Sequence, residues 1–140
     1  MARGRMRSRG FTLGELLVTL AVLAVVLTVA VPAFTNFVKN NRLAAATNQL
    51  GAALAYARSE AVRRGRPVTV CASSDGATCD TTAWREGWIV FTDEGVAGQV
   101  DAGDTVLRVS GPLGGDVEIS FSSPAGLPYV RFLSLGELDA

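Results

Sequence analysis

Apolar positions follow three regimes along the chain. From Phe11 to Phe34 they run almost unbroken, and Glu15 is the single ionisable side chain among them. Twenty or so apolar residues on a helix rise about 30 Å, enough to cross a bilayer core. The following stretch, NFVKNNRLAAATNQLGAALAYARSEAVRRG, keeps helical spacing but becomes half polar. Leu43, Leu50 and Ala57 recur every seven positions, with Ala46, Leu54 and Ala61 alongside, and this predicts one apolar stripe. Lys39, Asn40, Arg42, Asn48 and Gln49 fall mostly on the wet side. Gly65 and then Pro67 stop the helix, and Arg63 and Arg64 in its last turn suit the negative helix end. The pattern predicts one bent helix from Phe11 to Arg64, about 80 Å long at 1.5 Å per residue.

Beyond Pro67 the period shortens to that of strands. PVTVCA alternates, with Val68 and Val70 on one face, and GWIVFTD is an aromatic and β-branched run fit for burial on both faces. TVLRVS, DVEISFS and YVRFL follow, separated by turns rich in Gly, Pro or Asp. Short connections favour an antiparallel sheet of about five strands with the amphipathic half-helix lying across it, an α+β fold.

Charge changes the picture at the N-terminus. The formal net charge of zero hides four arginines, Arg3, Arg5, Arg7 and Arg9, in the first ten positions, where no acid occurs. The remainder holds nine basic against thirteen acidic side chains, which argues against a broad phosphate-binding surface. Basic residues before the apolar run and none until Lys39 put the N-terminus in the cytoplasm and export the rest. A secretory signal cut after the small residues at Val31-Pro32-Ala33 would yield a mature chain beginning at Phe34. Neither that reading nor a plain anchor explains Glu15, since a carboxylate inside a spanning segment is costly and calls for a named partner.

Arg9-Gly10-Phe11-Thr12-Leu13-Gly14-Glu15-Leu16 lies directly between the basic leader and the spanning run. It closely resembles the class III signal of type IV pilins and type II secretion pseudopilins. The resemblance implies cleavage between Gly10 and Phe11 by a prepilin peptidase on the cytoplasmic face, with methylation of the new N-terminal Phe11. It also implies a partner for Glu15, namely the N-terminal amine of a neighbouring subunit in a filament. An apolar bundle makes an unpaired carboxylate expensive, so such a pair would set the register of assembly. A local alternative is that Glu15 merely suits the helix dipole in the first turn. Pro32 stands where the family commonly carries a kink-forming proline. Gly14 departs from the usual Ile, Val or Leu and costs about 1 kcal/mol of helix propensity relative to alanine.

Three further stretches, Tyr56–Ala61, Pro67–Cys71 and Trp84–Phe91, are similar to the GspH/FimT subgroup of minor pilins and pseudopilins. The likeness runs from Arg9 to about Arg108 and then fades. Members usually continue for further strands past a segment such as Phe132-Leu133-Ser134-Leu135-Gly136, so a head with missing or shortened last strands is implied. The organisation expected is a basic leader over 1–10, a transmembrane helix segment over 11–33, its amphipathic continuation over 34–65 and a periplasmic β-sheet head over 66–140. The implied protein is a single-pass inner-membrane precursor that enters a filament by helix packing with other pilins or pseudopilins. Its expected function is that of a minor subunit of a type IV pilus, in assembly or initiation, supporting twitching, adhesion or DNA uptake. The paired cysteines and the Trp84…Trp88 stretch favour the pilus. The alternative is a minor pseudopilin of type II secretion. A third reading, a DNA-binding minor pilin, has little behind it, because Arg131 is the single basic residue after Arg108. Arg58, Arg63, Arg64 and Arg66 read as solvated helix-end charges rather than a nucleic-acid patch.

Candidate chemistry in the head is sparse. Cys71 and Cys79 flank ASSDGAT, whose Asp75-Gly76 favours a tight turn, and a hairpin of this size can bring Cα atoms to about 4.4–6.8 Å. In an exported, oxidising setting a disulfide is expected, bracing an exposed loop; free buried thiols are the alternative. TDEGVAGQVDAGDTV places Asp93, Glu94, Asp101 and Asp104 among glycines, and oxygen ligands on such a loop could hold calcium. The spacing does not match an EF-hand, and Asp and Gly are also what any turn wants, so no metal or other cofactor is assigned. The chain lacks histidine, which excludes histidine-based catalysis, and no base–nucleophile pair is evident, so no enzyme activity is expected.

Overall fold

The structure, a computed structural model, describes residues 10–80, 84–115, 117–119 and 127–139. It divides into two compact units, one ending at Asn40 and the other beginning at Asn41. Helix α1, Leu13–Arg64, contributes to both.

In the first unit the helix opens two residues after Phe11 and continues through Pro32 without interruption. Its apolar side chains point outward and are exposed, from Leu16 and Leu17 through Val29 and Val31 to Phe34. Thr19, Thr28 and Thr35 would be the misfits of such a stretch. Each hydroxyl donates to the carbonyl three residues earlier, those of Leu16, Val25 and Pro32, at 2.8, 2.6 and 2.9 Å. Internal satisfaction of every polar group is what a hydrocarbon environment demands. Among the described residues α1 is the one helix long and apolar enough to cross a membrane.

In the second unit the later turns of α1 pack on an antiparallel sheet. Its described strands are β1 (Val68–Ala72), β2 (Trp88–Thr92), β3 (Val106–Ser110) and β4 (Tyr129–Phe132), in the order β3-β2-β1-β4. Gly65 ends the helix in the left-handed conformation, and the Arg66 amide reaches back to the Ala61 carbonyl at 3.3 Å, closing a Schellman-type stop. The buried line on the helix is Ala46, Ala53, Ala57 and Ala61, together with Glu60. Ala46, Ala57 and Ala61 lie on the stripe expected from spacing; the correction is at Leu43, which is exposed, at Leu50 and Leu54, which are only partly buried, and at Ala53, which joins the buried line. The reason is volume. Ala53, Ala57 and Ala61 share one buried cluster with Trp84 and Trp88, and small side chains on the helix leave room for rings of that size in a close-packed core.

Strand register explains the rest of the core. Val68, Val70 and Ala72 pair with Thr92, Val90 and Trp88, and Val68 and Val70 pair on their other side with Phe132 and Val130. Val68, Val70, Ala72, Trp88, Val90, Val130 and Phe132 form the helix-side core. The alternate residues Cys71, Ile89 and Phe91 make a second cluster, against which Cys79, Val100, Val106 and Tyr129 pack. All five residues of β1 and all five of β2 are buried, because helix covers one face and loops the other. Of the DVEISFS run, Asp116 and 120–122 lie outside the described residues, and Val117–Ile119 carry no strand. After β4 the chain turns tightly, and Leu138 bridges back to Phe132.

Candidate functional site

The N-terminal end of α1 is a reciprocal cap. The Thr12 amide and hydroxyl donate to Glu15 Oε2 at 3.0 and 3.1 Å, and the Glu15 amide donates to Thr12 Oγ1 at 3.3 Å. This is the capping box, in which an N-cap threonine and a glutamate three positions on each satisfy the other's amide. Among the described residues Oε1 of Glu15 accepts no hydrogen bond, so the box holds the carboxylate in place and leaves one oxygen available. Phe11 is 85% exposed, and Gly10 precedes it with no neighbour within 4 Å of where a side chain would begin. Thr12 was missed in the sequence, although its Thr-x-x-Glu spacing from Glu15 is a recognisable signal of this cap.

The outer face of the sheet is covered by two loops. The first, which follows β1 and runs to Asp80 among the described residues, is joined to β1 by the Cys71–Cys79 disulfide, with Cα atoms 5.6 Å apart. Asp75 organises it. Its Oδ1 accepts from the Ala77 and Thr78 amides, both at 2.8 Å, and from the Ser73 hydroxyl at 3.0 Å, while Oδ2 accepts from the Thr78 hydroxyl at 2.6 Å. These donors, led by the Thr78 hydroxyl and the two amides, hold the Asp75 carboxyl well below the usual carboxylate range.

The second loop carries the acids considered for calcium, and these carboxylates accept hydrogen bonds from within the head. Asp93 is fully buried; its Oδ2 accepts from the Thr69 hydroxyl at 2.6 Å and the Gly98 amide at 2.8 Å and lies 3.4 Å from Arg131 Nε. Arg131 also donates to the Asp93 carbonyl at 2.9 Å and to Asp139 at 2.8 Å. Asp101 accepts from the Val96 amide at 2.7 Å, and Asp104 accepts from the amides of Glu94 and Asp101 at 3.1 and 2.9 Å. Glu94 pairs with Arg66 at 2.5 Å. Among the described residues no group of three or more candidate ligands stands ready for a metal. These carboxylates serve as loop hubs because backbone amides in tight turns need acceptors. Thr69 and Arg131 also escaped sequence reading; their clue is the outward position each takes on its strand, directly opposite one another.

Basic side chains are mostly engaged as well. Glu60 accepts from Arg63 at 2.6 Å and from Arg64 at 2.7 Å, and these bonds, that of Arg63 foremost, lower its pKa and raise that of Arg63. The Arg108 guanidinium lies 5.9 Å from the centre of the Tyr56 ring. Pro32 lies within α1, with its carbonyl accepting from the Thr35 hydroxyl at 2.9 Å.

An apolar helix opened by a capped glutamate, in a chain that goes on to a helix-backed antiparallel head, defines a helix-tailed α+β protein built on a prepilin-type start. Residues 5–31 match the prokaryotic N-terminal methylation motif. Residues 46–140 match the family described as type II transport protein GspH, and the chain belongs to this family. It is similar to the crystal structure of the type IV minor pilin FimU of Pseudomonas aeruginosa strain PAO1. That likeness has 24% identity over 73% of this chain and 67% of that chain, with a TM-score of 0.48. None of the curated proteins matches the chain.

Proposed function

We propose that this protein is a minor structural subunit of a type IV filament machine, made as an inner-membrane precursor and processed between Gly10 and Phe11. The observation that carries this reading is the start of α1. There a capped carboxylate stands five residues from the Gly10–Phe11 junction, at the head of a helix whose apolar side chains are exposed. Cleavage at that junction creates an amine at Phe11, and methylation keeps it cationic. Oε1 of Glu15 then accepts from the amine of a neighbouring subunit as the exposed helices pack together. The N-terminus lies on the cytoplasmic side and the head on the periplasmic side, as the arginines of residues 1–10 favour.

Within that class the pilus is our first reading, in assembly or initiation of the filament, on the ground of the bridged cysteines and the Trp84…Trp88 stretch. The second is a minor pseudopilin of the type II secretion system, favoured by the description of the matched family. Nucleic-acid binding gains little support. Arg131 is held by Asp93 and Asp139, and Arg63, Arg64 and Arg66 are held by Glu60 and Glu94.

Mass spectrometry of the N-terminal peptide tests the proposal, with sheared surface filaments compared against the remaining cell envelope. N-methylated Phe11 in the filament fraction supports a surface pilus, and the same peptide confined to the envelope supports the secretion machine. A mature chain beginning at Phe34 would end both readings.

A further inference from the structure

The disulfide loop is held in shape by bonds that do not involve sulfur. Cys79 lies between Thr78 and Asp80, and both are tied independently. Thr78 is bound through its amide and hydroxyl to Asp75, and the Asp80 amide donates to the Ala72 carbonyl at 2.7 Å, next to Cys71 itself. Ser73 closes the other side, since its hydroxyl donates to Asp75 and accepts from the Gly76 amide at 3.0 Å. Cys71 is fixed by the sheet, paired with Ile89 on one side and Tyr129 on the other.

We propose that Asp75 is a positioning residue for oxidation: it folds the loop over the sheet while the thiols are still reduced and so presents Cys79 to Cys71. A flexible linker joining two groups gives an effective concentration of roughly millimolar order. Removing the linker's freedom raises that value, because the entropy of ordering is no longer lost at bond formation. The order of events follows from burial. Cys79 is half-buried and Cys71 is buried within its strand, so an external disulfide meets Cys79 first. With oxidised glutathione as oxidant, the Cys79 thiolate attacks one glutathione sulfur, and one glutathione thiolate leaves. Cys71, as thiolate, then attacks the Cys79 sulfur of the mixed disulfide, forming the Cys71–Cys79 bond and expelling the second glutathione. The two protein sulfurs lose two electrons, glutathione disulfide gains them, and the two protons end on the released thiols.

The test is the thiol–disulfide equilibrium of the full chain in detergent micelles against mixtures of reduced and oxidised glutathione. The readout is alkylation and intact mass. Cys71 and Cys79 are the chain's two cysteines, so the oxidised fraction is read without ambiguity. Asp75→Ala removes all four acceptor contacts and is expected to lower the equilibrium constant for closure about tenfold, as loss of charge-assisted bonds implies. Asp75→Asn keeps a carbonyl oxygen for the amides and should fall between Asp75→Ala and wild type. Thr78→Val loses the hydroxyl bond alone and should shift the same way by less. Ser59→Ala, on the helix, should match wild type. An Asp75→Ala equilibrium within about twofold of wild type overturns the proposal, because ordinary hydrogen bonds of this kind are worth more. Should that variant fail to fold, a Thr78→Val protein indistinguishable from wild type overturns it equally.

Discussion

Asp93 shows at the residue scale how this head spends its carboxylates. It directly follows β2, is fully buried, and ties three parts of the fold to one side chain: Thr69 on β1, Gly98 in the loop and Arg131 on β4. The Gly98 contact is close, and a side chain there would run into the ring of Tyr129. A buried charge deprived of its partner is far costlier than the intact pair is stabilising. Arg131→Ala should therefore destabilise the head by about 3–5 kcal/mol. Asp93→Leu combined with Arg131→Met should be milder than Arg131→Ala, since no orphaned charge remains. Denaturant unfolding followed by the fluorescence of Trp84 and Trp88 measures both. If the double variant proved the less stable of the two, the clamp would be a net source of stability rather than a conditional one.

Elements were legible where one physical demand dominated. The stop of α1 at Gly65 and Pro67 and the two-face burial of GWIVFTD follow from composition alone, because left-handed glycine and unbroken β-branched runs have few other uses. The helix stripe was legible at Ala46, Ala57 and Ala61 but not at Leu43, which is exposed, or at Ala53, which is buried, because spacing identifies a face but not how near each position comes to its partner. The acids of the second loop were ambiguous for a different reason: metal sites and tight turns draw on the same residues. Electrostatics at the end of α1 yield a prediction at this scale. Arg63 and Arg64 lower the pKa of Glu60, and the donors around Asp75 do the same there. A depressed folded-state pKa gives stability that is complete above the ordinary values of 4.5 and 3.8 and is lost as pH falls through the lowered ones. The thermal midpoint should be flat from neutral pH to about 5 and decline below about 4. Glu60→Gln should lower the neutral plateau and make the acid decline shallower. Identical profiles for wild type and variant would show that the arginines do not act through Glu60.

At the scale of the whole molecule, the apolar side chains along the first half of α1 are exposed and call for a covering, and Glu15 decides between two accounts of what that covering requires. In one account the carboxylate is simply part of the cap, since it accepts from the Thr12 amide and hydroxyl. In the other its charge meets the amine of a neighbouring subunit. The capping box itself separates them. Glutamine at the same position can still cap, because it too accepts from the N-cap amide, but it carries no charge. Glu15→Gln therefore keeps the first function and removes the second, whereas Thr12→Ala removes much of the cap and keeps the charge. If charge pairing sets assembly, Glu15→Gln should cut incorporation into filaments by roughly tenfold or more, as loss of a buried ion pair implies. Membrane level and cleavage at Gly10–Phe11 should stay as in wild type. Thr12→Ala should cost only about 1 kcal/mol of helix stability and leave incorporation largely intact. Quantitative immunoblots of sheared filaments and membranes from the two strains read this directly. The opposite ranking would assign Glu15 to the helix alone, and the register of the exposed apolar side chains would then have to come from their packing.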